Sequence, residues 1–193
     1  GNTNDARDLQ FATAASMGRG TVTLNGRGFW LGTANSADTA VMAAINVLEK
    51  GSYLNGGSGN SYYFGGAFTG SGTMTTALGN AFAYLTGDMT GFQGAFSHTG
   101  DSLFTWAFGN NTEAVLNDGK LFGDGVVLKA DGGTSQFKFS YTNDIILMNA
   151  TVGAEGALNA RVEQAGTGTL VLTQDNSATG TLTITSGTVQ LGN

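Results

Sequence analysis

The stretch from Gly166 to Asn193 constrains the fold of this chain more than any other part of its sequence. Three short runs in it alternate apolar and polar residues and are separated by glycine or small polar turns: Thr169–Leu172, Thr181–Ile184 and Thr188–Leu191. This period of two is typical of β-strands, and it places leucine, isoleucine and valine on one face and mostly threonine on the other. Three strands in so short a span predict the successive sides of a coil, which is a repeat architecture.

The same tract matches a known repeat in both its strands and its turns. Leu170–Leu172 and Thr183–Ile184 correspond to the first two strands of that repeat, Asn176–Gly180 to a turn and Ser186–Asn193 to the third strand, whereas Gln174–Asp175 departs from it. The tract thus resembles the passenger-associated repeat of bacterial autotransporters, whose consensus is roughly GTLxLxGxNTYTGxTTIxxGTLxLGN. The resemblance implies a right-handed parallel β-helix on a secreted or surface-displayed protein of a Gram-negative-type bacterium, and it implies no activity.

The composition of the chain favours short strands joined by many tight turns. Of its 193 residues, 32 are glycine, none is proline, 40% are apolar and only 11% are charged. Low charge with many apolar residues argues against a disordered tail, and no linker or change of composition divides the chain. We therefore expect an all-β chain with one β-helix domain over residues 1–193. We also expect it to be a fragment of a longer secreted protein, because it begins at Gly1 without a signal peptide.

A second, weaker repeat gives the expected number of coils. Gly-x-Gly followed by a strand-like run begins at Gly18, Gly70, Gly123 and Gly166. Coils of roughly 20–27 residues would place these motifs about two coils apart, so that the chain forms about seven to nine coils. Residues 37–50 fit both a short helix and a strand, because they combine good helix formers with an alternation of apolar residues.

Charge and residue types exclude several classes of function. The formal net charge is −6, with eight lysine and arginine residues in all, whereas binding of nucleic acid needs clustered cations. The chain lacks cysteine and has a single histidine, His98, so it has too few of the usual ligands for a zinc site. His98 lies near Ser97 and Asp101 in a glycine-containing segment, which predicts an exposed turn and not a catalytic triad.

No apolar run approaches the roughly 20 residues of a membrane-spanning helix, so we expect no membrane insertion by this segment.

Two groups of residues are candidates for a catalytic or binding site. Asp118, Asp124 and Asp131 recur among glycine turns and would form a calcium-binding or catalytic carboxylate cluster in a polysaccharide-cleaving enzyme. Aspartate is also common in such turns for purely structural reasons.

Tyr62 and Tyr63 would bind glycans if they faced solvent, whereas alternating aromatic residues usually form the core. Because neighbours in a strand face opposite sides, we expect one of the two tyrosines to point outward.

These features predict a non-catalytic module, without cofactor or metal, that is secreted or displayed on the cell surface. It would serve as a structural stalk, as an adhesin for host glycans, matrix or cells, or as both. Two alternatives stay open. The first is a carbohydrate-active β-helix enzyme, with calcium as its cofactor. The second is a self-assembling extracellular fibre subunit, whose open coil ends associate end to end with other copies.

Overall fold

The chain forms a solenoid of short strands. The computed structural model describes residues 9–143, 145–148, 150–152 and 159–192, with the backbone alone for 145–148. These residues contain twenty strands and no α-helix, and two short 3-10 helices lie at Ala14–Met17 and Ala37–Thr39.

The strands form four sheets, in which spatial neighbours come from successive coils. In sheet A the strands lie side by side in the order β1 (Leu9–Phe11), β3 (Phe29–Leu31), β5 (Ser52–Asn55), β8 (Thr73–Thr76), β11 (Ala95–His98), β13 (Val127–Ala130) and β16 (Thr151–Val152). In sheet B the order is β2 (Thr21–Leu24), β4 (Ala44–Val47), β7 (Phe68–Gly70) and β10 (Gly91–Phe92). In sheet C it is β6 (Ser61–Phe64), β9 (Ala81–Leu85), β12 (Phe104–Thr112), β14 (Ser135–Tyr141), β17 (Ala160–Gln164) and β19 (Leu182–Ile184). In sheet D it is β15 (Ile145–Met148), β18 (Thr169–Leu172) and β20 (Thr188–Leu191).

Every pairing between these strands is parallel and joins one coil to the next. Ser61 of β6 pairs with Phe82 of β9, whereas Phe104 of β12 pairs with the more distant Ser135 of β14. Most coils therefore span about 20 to 25 residues, and the coil that begins at β12 is longer. Sheet A holds strands from about seven coils. The predicted all-β parallel β-helix is confirmed, at the lower end of the predicted number of coils.

The core consists of columns of inward side chains that repeat from coil to coil. One column of sheet C contains Tyr62, Ala83, Trp106, Phe137 and Val162, and the next contains Phe64, Leu85, Phe108 and Phe139. All of these side chains are buried. Phe96 of sheet A packs against two of them, with its ring centroid 5.0 Å from that of Trp106 and 5.4 Å from that of Phe108. Burial of one such ring contributes about 1.5–3 kcal/mol, so this aromatic cluster supplies much of the driving force for stacking.

Residues 37–50 contain both of the structures that their sequence allows. Ala37–Thr39 forms a 3-10 helix, and the Ser36 N–H before it donates to Thr39 Oγ1 at 2.9 Å. Ala44–Val47 then forms β4, in which Ile45 and Val47 are buried and pair with Val22 and Leu24 of the preceding coil. The alternating apolar residues thus form the strand, and the helix-forming residues before it make a single helical turn.

Glycines allow successive coils to approach closely at one corner of the solenoid. Gly72 and Gly94 stand immediately before β8 and β11, which are neighbours in sheet A. A Cβ atom on Gly94 would lie 1.9 Å from the carbonyl oxygen of Gly72, and one on Gly72 would lie 1.8 Å from the carbonyl oxygen of Leu48. Neither contact is sterically allowed, because each opposing atom belongs to the backbone and cannot rotate away.

We predict that Gly94→Ala lowers the free energy of unfolding by about 2 kcal/mol or more, because the two coils must move apart to admit the methyl group. The matched control is Gly20→Ala, since a Cβ atom there meets nothing within 4 Å. The control should change stability by no more than about 0.5 kcal/mol. Chemical denaturation followed by circular dichroism measures both values, and equal losses in the two variants would contradict this account of the corner.

His98 lies in the core, and the prediction of an exposed turn is wrong. It is the last residue of β11, is 0% exposed and lies in register between Thr76 and Ala130. Its Nε2 is 3.0 Å from the carbonyl oxygen of Leu78, and its ring stacks 5.6 Å from that of Phe104. Burial lowers the pKa of His98 below 6.5, and it outweighs the backbone hydrogen bond of Leu78 and the charge of Asp101, which act in the opposite direction.

This lowered pKa predicts a loss of stability in mild acid. Below about pH 6.5 His98 becomes protonated in the unfolded chain but stays neutral in the folded chain. The free energy of unfolding therefore falls as the pH drops from there to the pKa of His98 in the folded chain. The variant His98→Gln keeps a donor for the Leu78 carbonyl but does not titrate, so its stability should change less between pH 7.5 and pH 5.5. Denaturation curves at several pH values provide the comparison, and parallel pH profiles for the two proteins would refute the assignment.

Candidate functional site

The two tyrosines expected to bind glycans lie on opposite faces of sheet C. Tyr63 points outward and is half-buried, whereas Tyr62 is 0% exposed in the core. The Tyr62 hydroxyl accepts a hydrogen bond from the Gly57 N–H at 2.6 Å and lies 3.3 Å from the Gly57 carbonyl oxygen. The glycan-binding role considered for Tyr62 is therefore corrected, because its ring is buried in the inward column that also contains Ala83 and Trp106.

Tyr63 belongs to an outward aromatic cluster that its own sequence context does not reveal. Its ring stacks on that of Tyr84 in the next coil, at a centroid distance of 4.3 Å and an interplanar angle of 7°. Phe82, two residues before Tyr84 on the same strand, adds a third ring at 5.9 Å from Tyr84. Burial raises the pKa of the Tyr84 hydroxyl above its ordinary value of 10.0, and the neighbouring Tyr63 adds to the effect. The alternation within Ala81–Leu85 is the sequence signal for Phe82 and Tyr84.

A groove lies beside this aromatic cluster on the outer face of sheet C. The outward residues that follow Tyr84 in register are Ala107, Lys138 and Glu163 on three successive coils. Together with Asn110 and Asn111 they line a cavity of about 310 Å³, which we call the sheet C groove. This volume falls in the lower part of the range of small-molecule sites, about 300–1,000 Å³.

The far wall of the sheet C groove is a fixed ion pair. Lys138 Nζ lies 3.1 Å from Glu163 Oε1, and the two residues stand directly opposite each other on β14 and β17. Thr185 Oγ1 donates to the same carboxylate oxygen at 2.9 Å, and Gln136 donates to the other. Glu163 is only 15% exposed. Because both charges are matched and the carboxylate is held by three donors, this wall is rigid and carries no net charge.

The near end of the groove is formed where β12 leaves its regular register. Between Phe108 and Thr112 the pairing with β14 shifts, because β12 contains extra residues there. Gly109 and Asn111 adopt positive φ values of 79° and 54° in this bulge. Ser140 Oγ donates to Asn111 Oδ1 at 2.9 Å and so fixes the amide at the rim. Bulges of this kind often re-aim side chains next to functional sites.

The three candidate aspartates lie apart from this groove. Asp118 adopts a φ of 49° in a tight turn, as expected for an aspartate in the left-handed region. Asp124 is exposed and pairs with Lys120 at 3.0 Å, whereas Asp131 pairs with Lys129 at 2.9 Å. Within the described ranges, no group of three or more acidic or histidine side chains is placed to hold a metal ion. The structure does not bring these three carboxylates together.

The residues around His98 form no nucleophile and base pair. Ser97 Oγ donates to Asp131 Oδ2 at 2.6 Å and not to the histidine ring, which faces the core. Burial raises the pKa of Asp131, but the hydrogen bond from Ser97 and the contact with Lys129 together lower it below its ordinary value. The Ser97, Asp131 and Lys129 contacts thus link neighbouring strands and leave no activated hydroxyl.

Comparison with known families agrees with the fold. Residues 162–191 match the family described as the passenger-associated-transport-repeat. A search of curated proteins and a search of solved structures each find no match. In the part of the chain that the structure describes, no helix has the length and apolar character needed to span a membrane. The predicted autotransporter passenger repeat is thus confirmed for the tract from Val162 to Leu191, where it builds the parallel solenoid from β17 to β20.

Proposed function

We propose that this chain is a rigid, non-catalytic passenger module that a Gram-negative-type bacterium secretes or displays on its surface. The observation that carries the proposal is that the passenger repeat continues the solenoid in register. β19 pairs with β17 and β20 pairs with β18, so the repeat adds the same parallel rungs as the earlier coils. An extracellular or surface location accords with the match to this repeat family.

Stacking of coils would serve both export and display. Each folded coil offers an unpaired parallel strand edge on which the next coil can form its hydrogen bonds. A chain that emerges outside the cell would thus fold coil by coil, and each folded coil would oppose sliding back. The resulting rod holds its outward side chains in fixed columns, since solenoid repeats contact only their neighbours.

Adhesion is the finer part of the proposal. We propose that the outer columns contact glycans, matrix or cells of a host, and the outward Tyr63, Tyr84 and Phe82 rings support this role. Outward aromatic rings combined with a polar groove are typical of surfaces that bind a partner. End-to-end association with further copies stays a prediction.

We predict that Leu170→Asp abolishes surface display of the full-length gene product. Leu170 is 0% exposed and lies in register between Ile146 and Val189, so the new carboxylate would be buried without a partner. In the purified chain the same change should lower the free energy of unfolding by about 3 kcal/mol or more. Protease accessibility of intact cells, with antibody detection, measures display.

The control for this experiment is Gln190→Asp, which places the same charge on an exposed position of the same repeat. It should leave both stability and display near their normal values, because the carboxylate stays in water. Leu182 and Ile184 are 44% and 54% exposed and therefore make weaker test positions than Leu170. Normal display of the Leu170→Asp protein, with its stability lowered as expected, would rule out coil stacking as the basis of export.

A further inference from the structure

We propose that the sheet C groove binds one pyranose ring of an uncharged glycan. The inference rests on the proposed function in one respect, because the groove must face the outside of the cell to meet such a ligand. Three independent features point to this site: an aromatic wall, a polar wall of zero net charge, and a break in the strand register that shapes the rim.

The aromatic wall is Tyr84, and its neighbours hold it in place. Tyr63 stacks on it with nearly parallel rings, and Phe82 flanks it on the same strand. Ala107 follows Tyr84 in register and is itself fully buried, so its short side chain forms a closed floor between Tyr84 and Lys138. The apolar C–H face of a sugar ring packs well against an aromatic ring of this kind, through dispersion and the ring quadrupole.

The polar wall offers donors and acceptors of the kind that sugar hydroxyl groups bind. The amide of Asn110 makes no hydrogen bond to the described residues, and that of Asn111 has its oxygen engaged by Ser140, which leaves its N–H donors for a ligand. Glu163 and Lys138 stand across the groove with their positions fixed by each other and by Thr185. Hydroxyl groups both donate and accept, so they can pair with the amides and with the free sites of the ion pair.

Charge favours a neutral sugar over an acidic one. Lys138 is the cation that lines the groove, and Glu163 already neutralises it. A uronic or sialic acid would place its carboxylate near that of Glu163, in a chain whose formal net charge is −6. An aromatic side chain from a protein partner would use the Tyr84 wall but would leave the amides of Asn110 and Asn111 without partners, which costs affinity.

The purified chain can be tested against small probes. Saturation-transfer difference NMR would be recorded with the methyl glycosides of glucose, galactose, mannose and N-acetylglucosamine, with methyl glucuronide and methyl sialoside, and with N-acetyltyrosinamide. We expect at least one neutral glycoside to give a signal and the acidic sugars to give a weaker one. Tyr84→Ala should weaken binding of the neutral glycoside at least about tenfold, and Asn111→Ala should weaken it severalfold. Tyr84→Phe keeps the ring and its stacking, so it should bind within about threefold of the unmodified chain.

The matched control is Tyr53→Ala, which removes an exposed tyrosine of sheet A, 52% exposed and remote from β9, β12, β14 and β17. It should leave binding unchanged, and unaltered circular dichroism checks the fold of every variant. Absence of binding by all neutral glycosides would overturn the inference, as would binding that resists both Tyr84→Ala and Asn111→Ala. If N-acetyltyrosinamide alone binds, the groove recognises an aromatic side chain of a protein partner and not a sugar. Surface display, tested separately through Leu170, can succeed or fail independently of each of these results.

Discussion

The parallel hydrogen-bond ladder between successive coils is the constraint on which the rest of this structure depends. A strand of each coil pairs only with the equivalent strands of the coils before and after it, as in the run of β6, β9, β12, β14, β17 and β19 across sheet C. The backbone N–H and C=O groups of the strands are satisfied in this way by the neighbouring coils, without helices or hairpins. Apart from the shift between Phe108 and Thr112, the strands keep their register, so each paired side chain sits above its counterpart in the preceding coil. Core columns, corner glycines and surface columns all follow from that alignment.

The sequence predicts the fold well because its signals are local and repeated. Alternating residues and glycine turns in Thr169–Leu172 and Thr188–Leu191 are enough to indicate strands, and the ladder then follows from their short spacing. It predicts the orientation of a given side chain less well, because orientation depends on register. A period of two requires Tyr62 and Tyr63 to face opposite sides, but it does not say which of them faces the core, and in the folded chain the buried one is Tyr62. The prediction for His98 is wrong for the same reason, since nearby glycine and serine indicate a turn whereas the register with Thr76 places the ring inside.

The candidate site is harder to predict than the fold because none of its walls is local in sequence. Tyr84, Ala107, Lys138 and Glu163 come from four different strands and share no motif, and they meet only because those strands lie side by side in sheet C. The aspartates Asp118, Asp124 and Asp131 are closer in sequence, yet two of them pair with their own lysine neighbours. In a solenoid, residues one coil apart are neighbours, whereas residues a few positions apart often point in different directions.

The ladder also explains why a binding groove can arise at β12 without damage to the core. Phe104–Phe108 keep register with both β9 and β14, so the inward rings of Phe104, Trp106 and Phe108 stay in their columns. The extra residues of the bulge follow only after Phe108, and the additional length of that coil lies between β12 and β13. Solvent-exposed positions such as Asn111 carry no such restriction from the core. A change there alters the surface and leaves the stacking intact, so specificity is expected to reside in the outer columns and the irregular coil.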